Sequence, residues 1–440
     1  MNKKRVLILS HDVVGNIMAG PGIRYHNIAN ELGKHFSVTL GVYSPNPKSS
    51  LKSNYVLKHV DVQKFHKAFD EHDFILAMWL NEDMISYARA SGKLIIFDLY
   101  APVQVEVLAS MLLKDNKITP IDDNEFRMSV DSYRRFFEVG DLFTCSNIRQ
   151  LDWWIGFAFG GNSIVPSKYR GQDIYENFVL APMGINDDTP EHTKNVLKGV
   201  VPGIKKEDFV IVWTGGIWDW FDGTTPIKAM QKLTTHKDIK LVFLGTKHPN
   251  KDIPPGMSET NRTYELAKKL DLIDKNVYFL EGWLGYEDRI NYLLEADAAI
   301  YAHKDSIEAQ FSHRTRVLDH IYATLPTVAT KGDYFADVIA KDSLGVAVDI
   351  GDDNAMSKAI LEIKANIEVY KKNIKKVRDT YKWSNTTLPL VKYIDTVDPS
   401  KSKKQTAEYH YVKPKTSTLL LKKYVPVPIK RQIRRVIKKR

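Results

Sequence analysis

A chain of 440 residues, 43% hydrophobic and 26% charged, has globular composition and the length for two domains of ordinary size plus a tail. Its single cysteine, Cys145, excludes an intrachain disulfide and a cysteine-based zinc site. The net charge of +10 is uneven: residues 401–440 hold 14 Lys/Arg and one acid, Glu408, a net of +13 that leaves −3 for the other 400 residues, which argues against a nucleic-acid-binding core.

The opening "MNKKRVLILSHD" has a basic start, but its apolar run is too short for a signal peptide and reads as a first strand. No uncharged apolar stretch approaches the roughly 20 residues of a membrane helix, so a cytoplasmic protein is expected. Further along, short β-branched runs alternate with amphipathic stretches. "RVLILS", "SVTLGVY", "FILAMW", "KLIIF", "LFTC" and "FVLAPM" are the strands expected in the first half. "FVIVWT", "KLVFLG", "VYFLEG", "AAIYA", "TVAT" and "GVAV" are those of the second. Continuous apolar strands separated by helices imply parallel sheets covered on both faces. Two such series imply an α/β protein of two doubly wound domains, with an eight-stranded barrel as the rival architecture. The polar, strand-free stretch "GINDDTPEHTKNVLKGVVPGIKKED" marks the seam. Expected bounds are 1–190 and 191–375, then closing helices over 376–398 and a basic linker and tail over 399–440.

Ligands of open parallel sheets bind beyond the carboxyl ends of the strands, where free N–H groups await anions. Three stretches fall there. After the first strand, Gly20 and Gly22 flank Pro21 ahead of a helix whose first turn holds Arg24. Small residues let a ligand approach and the arginine could face an anion, although the spacing is not G-x-G-x-x-G; an ordinary strand-to-helix loop is the other reading. After the first strand of the second half, Gly215 and Gly216 precede Trp218, Asp219, Trp220, Phe221 and Asp222. Ring faces beside carboxylates suit a sugar or a base, unless the tryptophans cover a domain interface.

The third stretch is "SIEAQFSHRTRVLDHIYATLPTV", where a helix is expected to begin near Ser312 as N-cap. Val317, Leu318, Ile321 and Leu325 form its apolar stripe, and Arg314 falls on the same line, where it must snorkel or meet an anion. Arg316 and Asp319 lie on a flank, spaced for a local salt bridge. Two arginines at a helix start suit a diphosphate, and Glu308 would face the same site. Histidines show no metal-ligand spacing, so no metal is expected. Cys145 reads as a buried small residue.

The chain ends in "LLLKKYVPVPIKRQIRRVIKKR". Ile429, Ile433, Val436 and Ile437 recur at helical spacing among basic residues, a pattern that suits an anionic membrane surface over 425–440. A disordered tail and a nucleic-acid arm are the other readings.

The stretches "MAGPGIRYHNIANEL", "TGGIWDWFDG", "GWLGYEDRINYLLEADAAI" and "FSHRTRVLDHIYATLPTV" together resemble the retaining, nucleotide-sugar-dependent glycosyltransferases of family four. The likeness covers most of residues 1–395 and is closest to the subset that builds bacterial surface polysaccharides. It implies the GT-B fold, two Rossmann-like domains facing across a cleft, the first for the acceptor and the second for the donor. The implied reaction moves a sugar from a nucleoside diphosphate sugar to a hydroxyl of a glycan or lipid-linked acceptor, with retention and with neither cofactor nor metal. Asp319 stands at the position of the family's second glutamate. Counting back to the first lands on Phe311, so Glu308 is the nearest upstream acid. Gly216 and Phe221 stand where the family's diphosphate-binding Arg and Lys belong, which makes Arg314 and Arg316 the substitutes. Asp98, after "KLIIF", is a candidate contact to acceptor or sugar. A nucleotide-sugar epimerase of the same fold and a non-catalytic membrane-associated scaffold are the alternatives. A place at the inner face of the plasma membrane, with no nucleic-acid partner, completes the expectation.

Overall fold

A computed structural model describes residues 3–16, 18–112, 118–164, 173–245, 258–280 and 288–401. The basic tail, 425–440, and most of "GWLGYED" lie outside these residues.

The chain divides into two compact units. The first comprises Met1–Tyr100, Ile118–Pro182 and the segment that starts at Thr386; the second comprises Ala101–Lys117 and Met183–Asn385. In the first, β1 (Arg5–Ser10), β2 (Ser37–Val42), β3 (Val56–His59), β4 (Phe74–Ala77), β5 (Leu94–Asp98), β6 (Leu142–Cys145) and β7 (Phe178–Leu180) lie in the order β3-β2-β1-β4-β5-β6-β7. Neighbours run parallel, with Ile8 opposite Leu40 and Leu76. Val6, Leu7 and Ile8 are fully buried, as strands covered on both faces must be.

The second unit repeats the plan. Its strands are β8 (Phe209–Trp213), β9 (Ile239–Leu244), β10 (Val277–Leu280), β11 (Ala298–Tyr301), β12 (Thr327–Thr330) and β13 (Gly345–Val348), in the order β10-β9-β8-β11-β12-β13. In both sheets the order reverses beside the unit's own first strand: β1 meets β4, and β8 meets β11. Loops diverge at such a point and leave room at the carboxyl ends of the two strands.

Two local expectations are corrected. The segment expected as closing helices, 376–398, is shared: its part up to Asn385 belongs to the second unit and the rest to the first, where helix Leu388–Thr396 packs on β7. The helix expected to start at Ser312 starts instead at Arg316, and Ser312 ends a separate short helix, Ile307–Phe311. Ser312 is extended, and its hydroxyl donates to Ala309 O at 3.0 Å. The apolar stripe survives: Val317, Leu318, Ile321 and Leu325 are buried.

Candidate active site

The second unit gathers its charged and aromatic residues at the β8–β11 switch point. Beyond β8 the loop is pinned to the loop beyond β11: Asp222 N donates to Ala302 O (3.0 Å) and Lys304 N to Trp220 O (3.0 Å). Gly215 has φ +77°, a left-handed conformation that turns the chain and that side chains with a Cβ disfavour. This turn lets Phe221 tuck back and meet Trp213 edge-on at 5.7 Å.

Arg314 and Arg316 both end on Phe221, with guanidinium carbons 4.8 and 4.0 Å from its ring centroid. Their partners differ. Arg314 is buried and forms a two-pronged pair with Glu308, Nη1 to Oε1 and Nη2 to Oε2 at 2.8 Å each. Its Nε lies 3.4 Å from Asp333 Oδ2. Each carboxylate holds the guanidinium pKa above its ordinary value against the opposing effect of burial. Arg314 is therefore a committed cation and lies on no helix stripe. It pins the short helix at Glu308 to the loop before Arg316, across the break between the two helices.

Arg316 makes no ion pair among the described residues. Its Nη2 donates to Gly216 O at 3.1 Å, its guanidinium stacks 5.1 Å from Trp213, and its Nη1 is buried without a hydrogen bond. Burial first, then the like charge of Arg314, push its pKa down. A guanidinium stays protonated nonetheless, so Arg316 keeps its full charge and one unspent buried N–H group. The expected local salt bridge to Asp319 is not formed; Asp319 pairs with Arg289 at 2.9 Å.

Behind this pair lies a buried polar network. Tyr301 donates to Asp333 Oδ1 (3.0 Å), His303 Nε2 is 3.6 Å from Asp333 Oδ2, and Asp333 also accepts from Ala336 N (2.7 Å) at the start of helix Tyr334–Lys341. His320 bridges Thr214 and Thr327 at 3.0 and 3.1 Å. Burial pushes its imidazole down to about 3, so it is a neutral strut.

In the aromatic loop the rings face each other. Trp218 and Trp220 stack in parallel, 5.5 Å apart at 4°. The carboxylates read as hydroxyl acceptors serve helix starts instead. Asp219 accepts from Ser258 Oγ and Glu259 N (3.0 and 3.1 Å), and Asp222 accepts from the N–H groups of Thr224 and Thr225 (3.0 and 3.1 Å). Both satisfy N–H groups that have no partner within their helix.

In the first unit, Arg24 and Asp98 do meet, as partners of each other. Arg24 Nε and Nη2 donate to the two oxygens of Asp98 at 2.8 and 2.7 Å, and Nη2 also donates to Ala181 O at 2.8 Å. Both residues are fully buried. Arg24 faces the core because it shares the buried side of helix Gly20–Gly33 with Gly22, Ile28 and Leu32. The anion expected at Arg24 is thus an internal carboxylate, and Asp98 offers no free edge to a ligand. A Cβ on Gly22 would fall on Val13 O, whereas one on Gly20 would meet nothing within 4 Å. Gly22 is fixed by packing and Gly20 is open.

Sequence reasoning missed Glu106. It is the sole charged residue of helix Val103–Leu112, which packs on helix Ile307–Phe311 in the second unit. A lone acid in an apolar helix was the available signal. Among the described residues, no group of three or more His, Cys, Asp or Glu could hold a metal ion, and no helix is long and apolar enough to cross a membrane.

Residues 203–380 match the family model of the glycosyl transferases group 1. A comparison with curated protein sequences gave no match. Among solved structures, HepE of Anabaena in complex with UDP aligns with a TM-score of 0.61 at 11% identity, over 90% of this chain and 100% of that one. The sucrose-phosphate synthase of Thermosynechococcus elongatus gives 0.59 at 14%, over 89% and 98%. WaaG, a glycosyltransferase involved in lipopolysaccharide biosynthesis, gives 0.56 at 15%, over 89% and 100%. Identities this low carry the fold alone: two parallel-sheet α/β units of GT-B type. The group 1 match spans β8 to β13, the whole switch-point site included, and the enzyme class it indicates is glycosyltransferase.

Proposed function

We propose that the protein transfers a glycosyl unit from a nucleoside diphosphate sugar to a hydroxyl acceptor, retaining the anomeric configuration, in the assembly of a cell-surface polysaccharide or glycoconjugate. One observation carries this reading: the Arg316 guanidinium lies against Phe221 and Trp213 with a buried N–H group unspent and no ion pair among the described residues. The oxygens of a donor diphosphate suit that unspent donor. Departure of the nucleoside diphosphate concentrates negative charge, and a fixed cation stabilises that charge without reorganising during the reaction. Planar two-pronged donation makes arginine well suited to it. No metal is invoked, since the arginine supplies the charge.

The comparisons support the donor class. HepE has been solved with UDP and with UDP-glucose, and a trehalose-6-phosphate structure from E. coli holds UDP-2-fluoro glucose. Retention and the surface-polysaccharide role rest on the sequence resemblance, as does an acceptor borne on a lipid. The basic tail, 425–440, would then hold the enzyme on the anionic membrane face where that acceptor lies.

Calorimetric titration with UDP, GDP and dTDP tests the reading. At least one is expected to bind, and failure of all three would remove it. Release of nucleoside diphosphate that requires an acceptor would separate transfer from epimerisation. The anomeric proton coupling of the product reports retention, and an inverted product would refute it. Removal of residues 425–440 is expected to abolish binding to anionic liposomes; equal binding by the shortened chain would exclude a membrane role for the tail.

A further inference from the structure

Every carboxylate that the sequence nominates for the reaction is spent on an arginine. Glu308 closes both oxygens on Arg314 at 2.8 Å, Asp319 pairs with Arg289 at 2.9 Å, and Asp98 pairs with Arg24 at 2.7 Å. Phe311 stands where the family resemblance expects the first acid. The second unit nevertheless holds one acid near the arginine cluster that is not spent. Glu106 forms no hydrogen bond or ion pair among the described residues, and the residue is not fully buried. Two charged groups act on it: Glu308, on the helix packed against its own, and Arg314. The helix of Glu106 packs on the helix whose Glu308 holds Arg314, and Arg314 shares the Phe221 ring with Arg316, the arginine with the unspent N–H group.

We propose that Glu106 binds a hydroxyl of the sugar being transferred and so selects the donor. This rests on the reading of Arg316 as the diphosphate grip, because the sugar is covalently attached to that diphosphate and must lie beside it. The chemistry suits a hydroxyl, which both donates and accepts. Burial, and next the charge of Glu308, raise the Glu106 carboxyl to about 7, with Arg314 pulling the other way. Near neutrality both forms are populated: the neutral acid donates to the sugar oxygen and the carboxylate accepts from its proton. Glu308 has a different task. It fixes Arg314, and so sets the charge that Glu106 faces.

The test compares sugar nucleotide with bare nucleotide, which needs no acceptor. The full chain is titrated with UDP-glucose against UDP, GDP-mannose against GDP, and dTDP-glucose against dTDP, at pH 6 and pH 8. For the donor that binds, Glu106→Gln and Glu106→Ala are expected to lose tenfold or more of the affinity contributed by the sugar, the scale of one hydrogen bond to a charged group. Affinity for the bare nucleotide should stay as in the wild type, which also shows that the variants are folded. The sugar's contribution should change between pH 6 and pH 8 in the wild type and stay level in Glu106→Gln. A wild-type sugar contribution in both variants, with the same pH dependence, would overturn the inference and leave the glycosyltransferase reading intact. Absence of binding by any nucleotide to the wild type would defeat that reading, and this one with it.

Discussion

Glu308→Gln tests whether the arginine pair is held together as the geometry implies. The side chain keeps its volume, so no cavity opens, but Arg314 loses its counter-charge and one of two acceptors at 2.8 Å. Breaking a buried pair from one side costs about 3–5 kcal/mol, because the remaining charge has been taken out of water. Asp333 at 3.4 Å and the Phe221 ring at 4.8 Å still face Arg314, which places the cost near the low end, about 3 kcal/mol. The second unit has ~220 residues. At about 2.1 cal/mol/K per residue its unfolding entropy is roughly 0.46 kcal/mol/K, so its transition should fall by about 6 °C in scanning calorimetry. The double variant Glu308→Leu/Arg314→Met removes both charges and should recover part of that loss, since a buried pair replaced by apolar groups is often neutral while Asp333 is left without Arg314. A single variant that melts within about 1 °C of the wild type would refute the reasoning. So would a double variant that falls as far as the single one.

Arg316→Met should weaken nucleoside diphosphate binding about 10–100-fold by titration while leaving the melting temperature equal or higher, because an unpaired buried cation is removed; unchanged affinity would show that the diphosphate lies elsewhere. Gly22→Ala should destabilise the first unit by about 1–3 kcal/mol, since its Cβ would fall on Val13 O, whereas Gly20→Ala, with nothing within 4 Å, should be close to neutral in the same melts. The folded-state pKa of Glu106 is raised to about 7, so the stability it contributes is full below the unfolded value near 4.5 and is lost as pH rises through 7. Glu106→Gln should therefore gain on the wild type between pH 5 and pH 8, by about 1–2 kcal/mol once partial exposure is allowed for, and a constant difference would contradict the raised pKa.

The strands were legible because a parallel strand buried on both faces has no choice but to be apolar throughout. Strand β3, missed among the described residues, shows the limit: it is an edge strand, "VLKH", with Val56 and His59 exposed. Its pairing with β2 comes from the backbone, and the side chains carry no pattern. Asp222 was readable in principle, for an Asp two residues before "TTP" is a helix-start signal. It was read instead with the tryptophans, as a ligand group.

The two arginines mark a deeper limit. Helical periodicity placed Arg314 on the buried side, and it is buried; the same periodicity assumed one helix where there are two. The break is spanned by the bond from Glu308 to Arg314, six residues apart along the chain, which no propensity scale contains. Once that bond forms, Arg314 is neutralised and Arg316, two residues on, is turned toward Gly216 with no ion pair among the described residues. The sequence can therefore announce a cationic site and its place beyond the strands. It cannot say which cation is free, because that depends on which carboxylates the fold brings to which arginines. Glu106 completes the point. It is separated by some two hundred residues from Glu308, the charge that, after burial, raises its pKa, and it becomes a candidate only when the other acids are seen to be taken.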